Sequence, residues 1–159
     1  MKANELDALD KRLIRVLIKE GRLPSGNIAE RLDITPPTVR SRIEALVSSG
    51  VMRVAGLLNP FKLKDVTLAL VCISLERHQE LDAKIEAISQ LPQVHWVVAV
   101  TGQYDIIAEI ILTRGMPDLY QFLTEELPRL GGVRSSESFL VMKAKRKWIL
   151  LPDENEIIK

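Results

Sequence analysis

The apolar residues of this 159-residue chain change their spacing near residue 60, and no other feature constrains the fold as much. Before that point they recur three and four residues apart. Leu6, Leu9, Leu13, Ile14, Leu17 and Ile18 form one helical stripe, Ile28, Ala29 and Leu32 a second, and Val39, Ile43, Leu46 and Val47 a third. Beyond it, short β-prone runs alternate with helical stretches. The change predicts two domains, 1–60 and 61–150, followed by a polar tail over 151–159.

Local punctuation agrees with the stripes. Gly21 stops the first helix, Pro24-Ser25-Gly26 marks a connection, and a short second helix fits Asn27–Leu32. Asp33 and Ile34 then make a turn. Thr35-Pro36 is a strong helix start, because the hydroxyl caps free N–H groups and proline is tolerated at the first helical position. That helix runs to about Ser49 and ends at Gly50. Val51–Leu58 is short and β-prone, and Asn59-Pro60 breaks it. The expectation is a winged helix-turn-helix: small Ala29 where two helices cross, Asp33 at the turn, and branched Val39 and Ile43 on the second helix.

The second half reads as a strand at Val66–Leu75, a helix at Glu80–Leu91 and a strand at Val94–Thr101. A tight turn at Gly102-Gln103-Tyr104 leads to a strand at Asp105–Leu112, a helix at Pro117–Leu127 and a last strand at Val133–Lys145. The order β-α-β-β-α-β is the ferredoxin-like arrangement, so the chain as a whole is α+β. Both helices lie on one face of such a sheet. Strands apolar on both faces need a cover for the other, and a second copy supplies it; at least a homodimer is expected.

Composition excludes several function classes. The formal net charge is +1, but residues 1–60 carry ten Lys/Arg against seven Asp/Glu, a basic excess that favours a polyanionic partner there. Cys72 is the single cysteine, which rules out an intrachain disulfide or a cysteine metal cluster; its apolar surroundings predict a buried, inert thiol. His78 and His95 have no metal-ligand spacing, so no metal is expected, with His78 in an exposed loop and His95 packed. Trp96 and Trp148 read as packing residues. No phosphate loop, nucleophile elbow or paired catalytic carboxylate motif is present, so no catalytic residue and no cofactor are expected. Met1 to Asp10 carries four charges and no apolar signal core, and the longest apolar runs are too short for a bilayer. A cytoplasmic protein without membrane contact is the expectation. The run Lys143, Lys145, Arg146, Lys147 reads as a solvated strand edge that could add to DNA affinity.

Two segments carry candidate chemistry. With Val39 in the core, a helical step of roughly 100° turns Pro37, Thr38, Ser41 and, more obliquely, Arg40 outward, where a recognition helix faces the major groove of double-stranded DNA. Arg40 suits a bidentate contact to guanine, and Thr38 or Ser41 a base or phosphate. Arg42 and Arg53 suit phosphates, and Thr35 stands with this set at the helix start. The alternative is a three-helix unit used for dimerisation, with these residues merely solvated. In Thr101-Gly102-Gln103-Tyr104-Asp105, a glycine permits close backbone approach, exposed N–H groups suit a carboxylate, and Asp105 suits an ammonium group. The same residues also fit a plain hairpin turn.

Taken together, the fragments resemble the Lrp/AsnC, or feast/famine, regulators over almost the whole chain. The matching residues are Leu6-Asp7-Ala8-Leu9-Asp10, Gly21-Arg22, Ile28-Ala29-Glu30-Arg31-Leu32, Thr38-Val39-Arg40-Ser41-Arg42-Ile43 with Leu46, and Ser49-Gly50-Val51-Met52. In the second half Val100-Thr101-Gly102-Gln103-Tyr104-Asp105 looks like that family's ligand-loop motif. The resemblance implies a winged helix-turn-helix followed by a ferredoxin-like (RAM-type) domain that dimerises through its sheets, often assembling further into octamers. It implies a small effector, typically an amino acid, bound between dimers near Thr101, Gly102, Tyr104 and Asp105, with Ser135 and Ser136 contributing from a neighbouring subunit. The chain departs from the family at Thr35-Pro36-Pro37, where Ser-Pro-Ser is more usual, and at Arg53-Val54-Ala55-Gly56-Leu57, a shortened hinge. Two rival readings stay open: resemblance to sirohaem decarboxylases of similar fold, for which His95 and Tyr104 would be the reactive candidates, and an architectural protein that bends DNA without an effector.

Overall fold

A computed structural model describes residues 5–150; the tail expected over 151–159 lies outside the described residues. The chain divides into two compact units at Ala55/Gly56. Among the described residues no helix is long and apolar enough to cross a membrane.

The first unit holds α1 (Ala8–Lys19), α2 (Ser25–Leu32) and α3 (Pro36–Ser48). Asp7 caps α1 by accepting from the Asp10 N–H, and Asp10 returns the bond to the Asp7 N–H. Helix α2 starts two residues earlier than its apolar stripe predicts, because Pro24 fixes the backbone ahead of Ser25. Its other end closes as a left-handed cap: Asp33 has φ 56, and the Ile34 N–H reaches back to the Ala29 carbonyl at 3.0 Å. The Arg12 guanidinium satisfies another freed carbonyl, that of Leu32, at 3.0 Å. Leu13, Ile28, Ala29, Leu32, Val39 and Leu46 form the core of this unit. The expected β-wing does not form a ladder: residues 51–57 are unpaired, because no second strand lies alongside them within the unit.

The second unit contains β1 (Thr67–Leu75), α4 (Leu81–Ser89), β2 (Val94–Ala99), β3 (Ile106–Leu112), α5 (Met116–Gln121), α6 (Leu127–Arg129) and β4 (Val133–Leu140). A π-helical turn, Phe122–Glu126, joins α5 to α6. The sheet order is β2-β3-β1-β4 with every neighbouring pair antiparallel, the ferredoxin-like topology. Alternation puts Ala69, Val71, Ile73 and Leu75 of β1 on one face with Ile106, Ala108, Ile110 and Leu112 of β3, packed against Ile88, Leu119, Phe122 and Leu127.

The opposite face is partly covered by the chain itself. Leu68 and Ile111 lie under Ile149, which is fully buried and pairs with Leu58 through two backbone hydrogen bonds of 2.9 Å. Val98 and Phe139 on that face remain exposed, and Leu70, Trp96 and Ile107 are half-buried. β4 stops at Leu140, so the basic run at 143–147 is a loop and not the strand edge that the sequence predicts.

Asp118 holds the turn into α5. Its buried carboxylate accepts from the N–H groups of Thr113 at 2.8 Å and Arg114 at 2.7 Å, and from Arg114 Nε at 2.6 Å. Burial alone pushes this carboxyl up; the two N–H donors and the guanidinium outweigh it, leaving it below the ordinary value. A native carboxyl that stays ionised more readily than the unfolded one stabilises the fold above the unfolded value of 3.8, and that contribution is lost as pH falls. Asp118→Asn is therefore expected to lower stability by about 1–3 kcal/mol near neutrality. In urea titrations the gap to the wild type should close on acidification below about pH 4; a gap independent of pH would contradict the account.

Candidate functional site

The first candidate surface is the N-terminal half of α3. The Thr35 hydroxyl accepts from the Thr38 N–H and lies 2.8 Å from the Thr38 hydroxyl, so both side chains are engaged in capping. Pro36 and Pro37 follow at the start of the helix, and Pro37, Arg40 and Ser41 are exposed. Arg40 reaches only the Ser25 hydroxyl, at 3.5 Å, and makes no ion pair among the described residues. Arg53 is likewise exposed.

Arg42 has a structural role that its sequence expectation did not include. Its guanidinium binds Asp7 and, at 3.1 Å, Asp10, joining α3 to the start of α1. The Asp10 N–H first, and the Arg42 guanidinium second, hold the Asp7 carboxyl below its ordinary value, and Asp7 in turn raises Arg42. Both bonds use Nη1 and the side chain stays partly exposed, so the brace leaves the other guanidinium nitrogens for the expected phosphate contact. Sequence reading missed this clamp, although two acids three apart at a helix start were its visible half.

The second candidate is the loop between β2 and β3. Gly102 has φ 123, a conformation open to glycine and strained for other residues, with no atom close to the position of a Cβ. Thr101 and Gly102 are exposed. Asp105 is tied into the fold: one carboxylate oxygen accepts from the Leu75 N–H at 2.7 Å, while the other lies 2.9 Å from His78 Nδ1. The loop is thereby stapled to the end of β1. Ser135 and Ser136 sit on β4, exposed, opposite Ser74 and Ile73 of β1. The Tyr104 hydroxyl donates to Glu137 of the same strand, a partner that sequence spacing could not have named.

Glu137 faces Cys72 across the β1–β4 pairing, where burial first and this carboxylate second push the buried thiol up. The hydrogen bond to Glu137 also leads the causes that raise the Tyr104 hydroxyl above its ordinary value of 10.0. Spectrophotometric titration should show one of the two tyrosines ionising above that value, and Glu137→Gln should bring it back down. An unmoved titration would place Tyr104 away from Glu137 in solution.

A third cluster went unread in the sequence. Glu109, buried in the sheet, receives His95 Nδ1 and Lys147 Nζ on the same oxygen, each at 2.7 Å. His95 Nε2 accepts from the Leu150 N–H at 3.2 Å, which assigns the ring proton to Nδ1. His95 is packed as expected, but its role is to fasten the C-terminal segment to the sheet.

Comparison with known proteins agrees with both halves. A model of the Lrp/AsnC ligand-binding domain matches residues 68–148, and a winged helix-turn-helix DNA-binding model matches residues 6–51. An uncharacterised HTH-type transcriptional regulator of Pyrococcus abyssi is 32% identical over 91% of this chain and 90% of its own. A crystal structure of an HTH-type regulator of Pyrococcus horikoshii superposes with a TM-score of 0.79 at 24% identity, covering 93% of this chain and 100% of that one. A Neisseria meningitidis transcriptional regulator in complex with L-Met gives a TM-score of 0.73 at 26% identity, over 93% of this chain and 97% of that one. The matches span both units in one order, and the chain belongs to the Lrp/AsnC family of helix-turn-helix transcriptional regulators.

Proposed function

We propose that residues 1–60 read DNA in a sequence-dependent way and that residues 61–150 bind a small effector and oligomerise. The observation that carries this reading is the outward face of α3: Pro37, Arg40 and Ser41 are exposed, and Arg40 has no anionic partner among the described residues. A guanidinium on the N-terminal half of a recognition helix is placed to donate two hydrogen bonds to a guanine edge. Thr35 and Thr38 orient the helix start toward a phosphate, and Arg53 supplies a further backbone contact.

The effector in this reading is an amino acid. Support comes from the neighbour in complex with L-Met and from the chemistry of the β2–β3 loop. Thr101 and Gly102 offer backbone donors to a carboxylate. An incoming ammonium group would compete with His78 for the Asp105 oxygen, while Tyr104 and, from a neighbouring subunit, Ser135 and Ser136 complete the surroundings. The exposed Val98 and Phe139, with half-buried Leu70 and Ile107, form the face through which two copies would pair. Four such dimers would build an octamer. Effector binding between dimers then shifts the assembly and with it the affinity for DNA. The protein acts in the cytoplasm as a regulator and not as an enzyme: His95, a reactive candidate of the decarboxylase reading, is fully engaged by Glu109 and Leu150.

The test is binding of the purified chain to its own upstream DNA and to a scrambled duplex, with and without an amino-acid mixture. Arg40→Ala should weaken specific binding by about 1–3 kcal/mol and relax the preference at one base position; unchanged binding would sink that assignment. Asp105→Ala should remove the response to amino acids while DNA binding persists. Asp105→Asn, which keeps an acceptor for the Leu75 N–H, separates charge from architecture. Loss of DNA binding in both variants would assign Asp105 to the fold alone.

A further inference from the structure

The chain that follows β4 crosses the end of the sheet that carries Leu68 and Ile111, as a loop fixed at both ends. On one side the Val141 N–H donates to the Leu68 carbonyl of β1 at 2.8 Å. On the other, Lys147 binds Glu109 of β3 and sits 5.9 Å over the ring of Trp96 of β2, and Ile149 is fully buried. Between these anchors Met142, Lys143, Ala144, Lys145 and Arg146 are all exposed.

The turn that separates inward from outward cations falls at Arg146, whose φ of 58 is left-handed. That conformation is strained for a residue with a Cβ, and burial of Ile149 offsets the strain. One cation of the run, Lys147, therefore neutralises a buried carboxylate. The other three, Lys143, Lys145 and Arg146, point to solvent with no ion pair among the described residues.

A charge run on a mobile strand edge would lose ordering entropy on binding; three cations on a loop pinned at both ends have less to lose. The pinning also involves Leu58, which is bonded to Ile149 within the same unit. Resting on the reading of the first unit as DNA-binding, we propose that Lys143, Lys145 and Arg146 form a second contact surface for the DNA phosphate backbone, one that adds affinity without reading sequence. The chemistry fits that partner: a phosphate backbone presents closely spaced anions, and each neutralised phosphate releases counterions.

The experiment compares the full chain with its Lys143→Gln/Lys145→Gln/Arg146→Gln variant, measuring affinity for the upstream and scrambled duplexes over a salt series. The logarithmic salt slope should become shallower by about 0.9 for every phosphate that the variant leaves without its cation, and both duplexes should bind more weakly by the same factor. A control variant that neutralises Lys64, Arg77 and Arg129 should keep the wild-type slope. Equal slopes for the wild type and the loop variant, or equal flattening by loop and control variants, would overturn the proposal. A loss of affinity confined to the upstream duplex would also overturn it, since the loop would then read bases. Failure of the wild type to bind either duplex would instead sink the DNA reading, and this surface with it.

Discussion

A four-stranded antiparallel sheet has two faces, and its two crossing helices cover only one. In this chain both faces are apolar: Ala69, Val71 and Ile73 pack under the helices, while Leu68, Leu70 and Cys72 alternate onto the other side. Much of the remaining structure answers the need to cover that second face. The C-terminal segment returns over it to seat Ile149 on Leu68 and Ile111, and Leu58 joins the same patch. What stays open, around Val98 and Phe139, is an apolar surface of the kind that a second copy covers.

Holding the returning segment requires polar groups inside an apolar face, and such groups are costly unless paired. Glu109 meets that demand by receiving Lys147 and His95 together, and His95 passes the connection to the Leu150 backbone. The buried carboxylate fixes where the segment lands, and the landing point fixes the loop before it and the bridge to Leu58. Packing, one charge pair and the presentation of the basic loop are thus physically linked.

The helical unit solves a smaller version of the same problem with caps. Asp7, Thr35 and the left-handed Asp33 terminate helices that are each too short to be stable alone. Arg42 turns one of these caps into a brace by binding Asp7 and Asp10. A basic residue on a recognition helix thereby stabilises the unit, and Arg40, two positions before it, keeps its face to solvent. In the β2–β3 loop, Asp105 likewise serves the fold first, through the Leu75 N–H, while Tyr104 and Glu137 mark the neighbouring surface.

The sequence by itself determined the order of elements, because the periods of 3.6 and 2 are local properties that burial on one face imposes on neighbouring residues. It also determined the cap at Thr35-Pro36, the turn at Asp33 and the hairpin glycine at Gly102, each a matter of a few adjacent torsions. The same locality explains where it stopped. Val51–Leu58 looks β-prone, but a strand needs a partner, and only Leu58 has one. Lys143 to Lys147 is one basic run in sequence, and only folding sends Lys147 inward to a carboxylate 38 residues away. Arg42 with Asp7, Tyr104 with Glu137 and His95 with Leu150 are likewise pairings across distant segments. Charge and hydrogen-bond complementarity act through space, so a residue's type announces what it can bind, and only the tertiary structure decides which partner arrives.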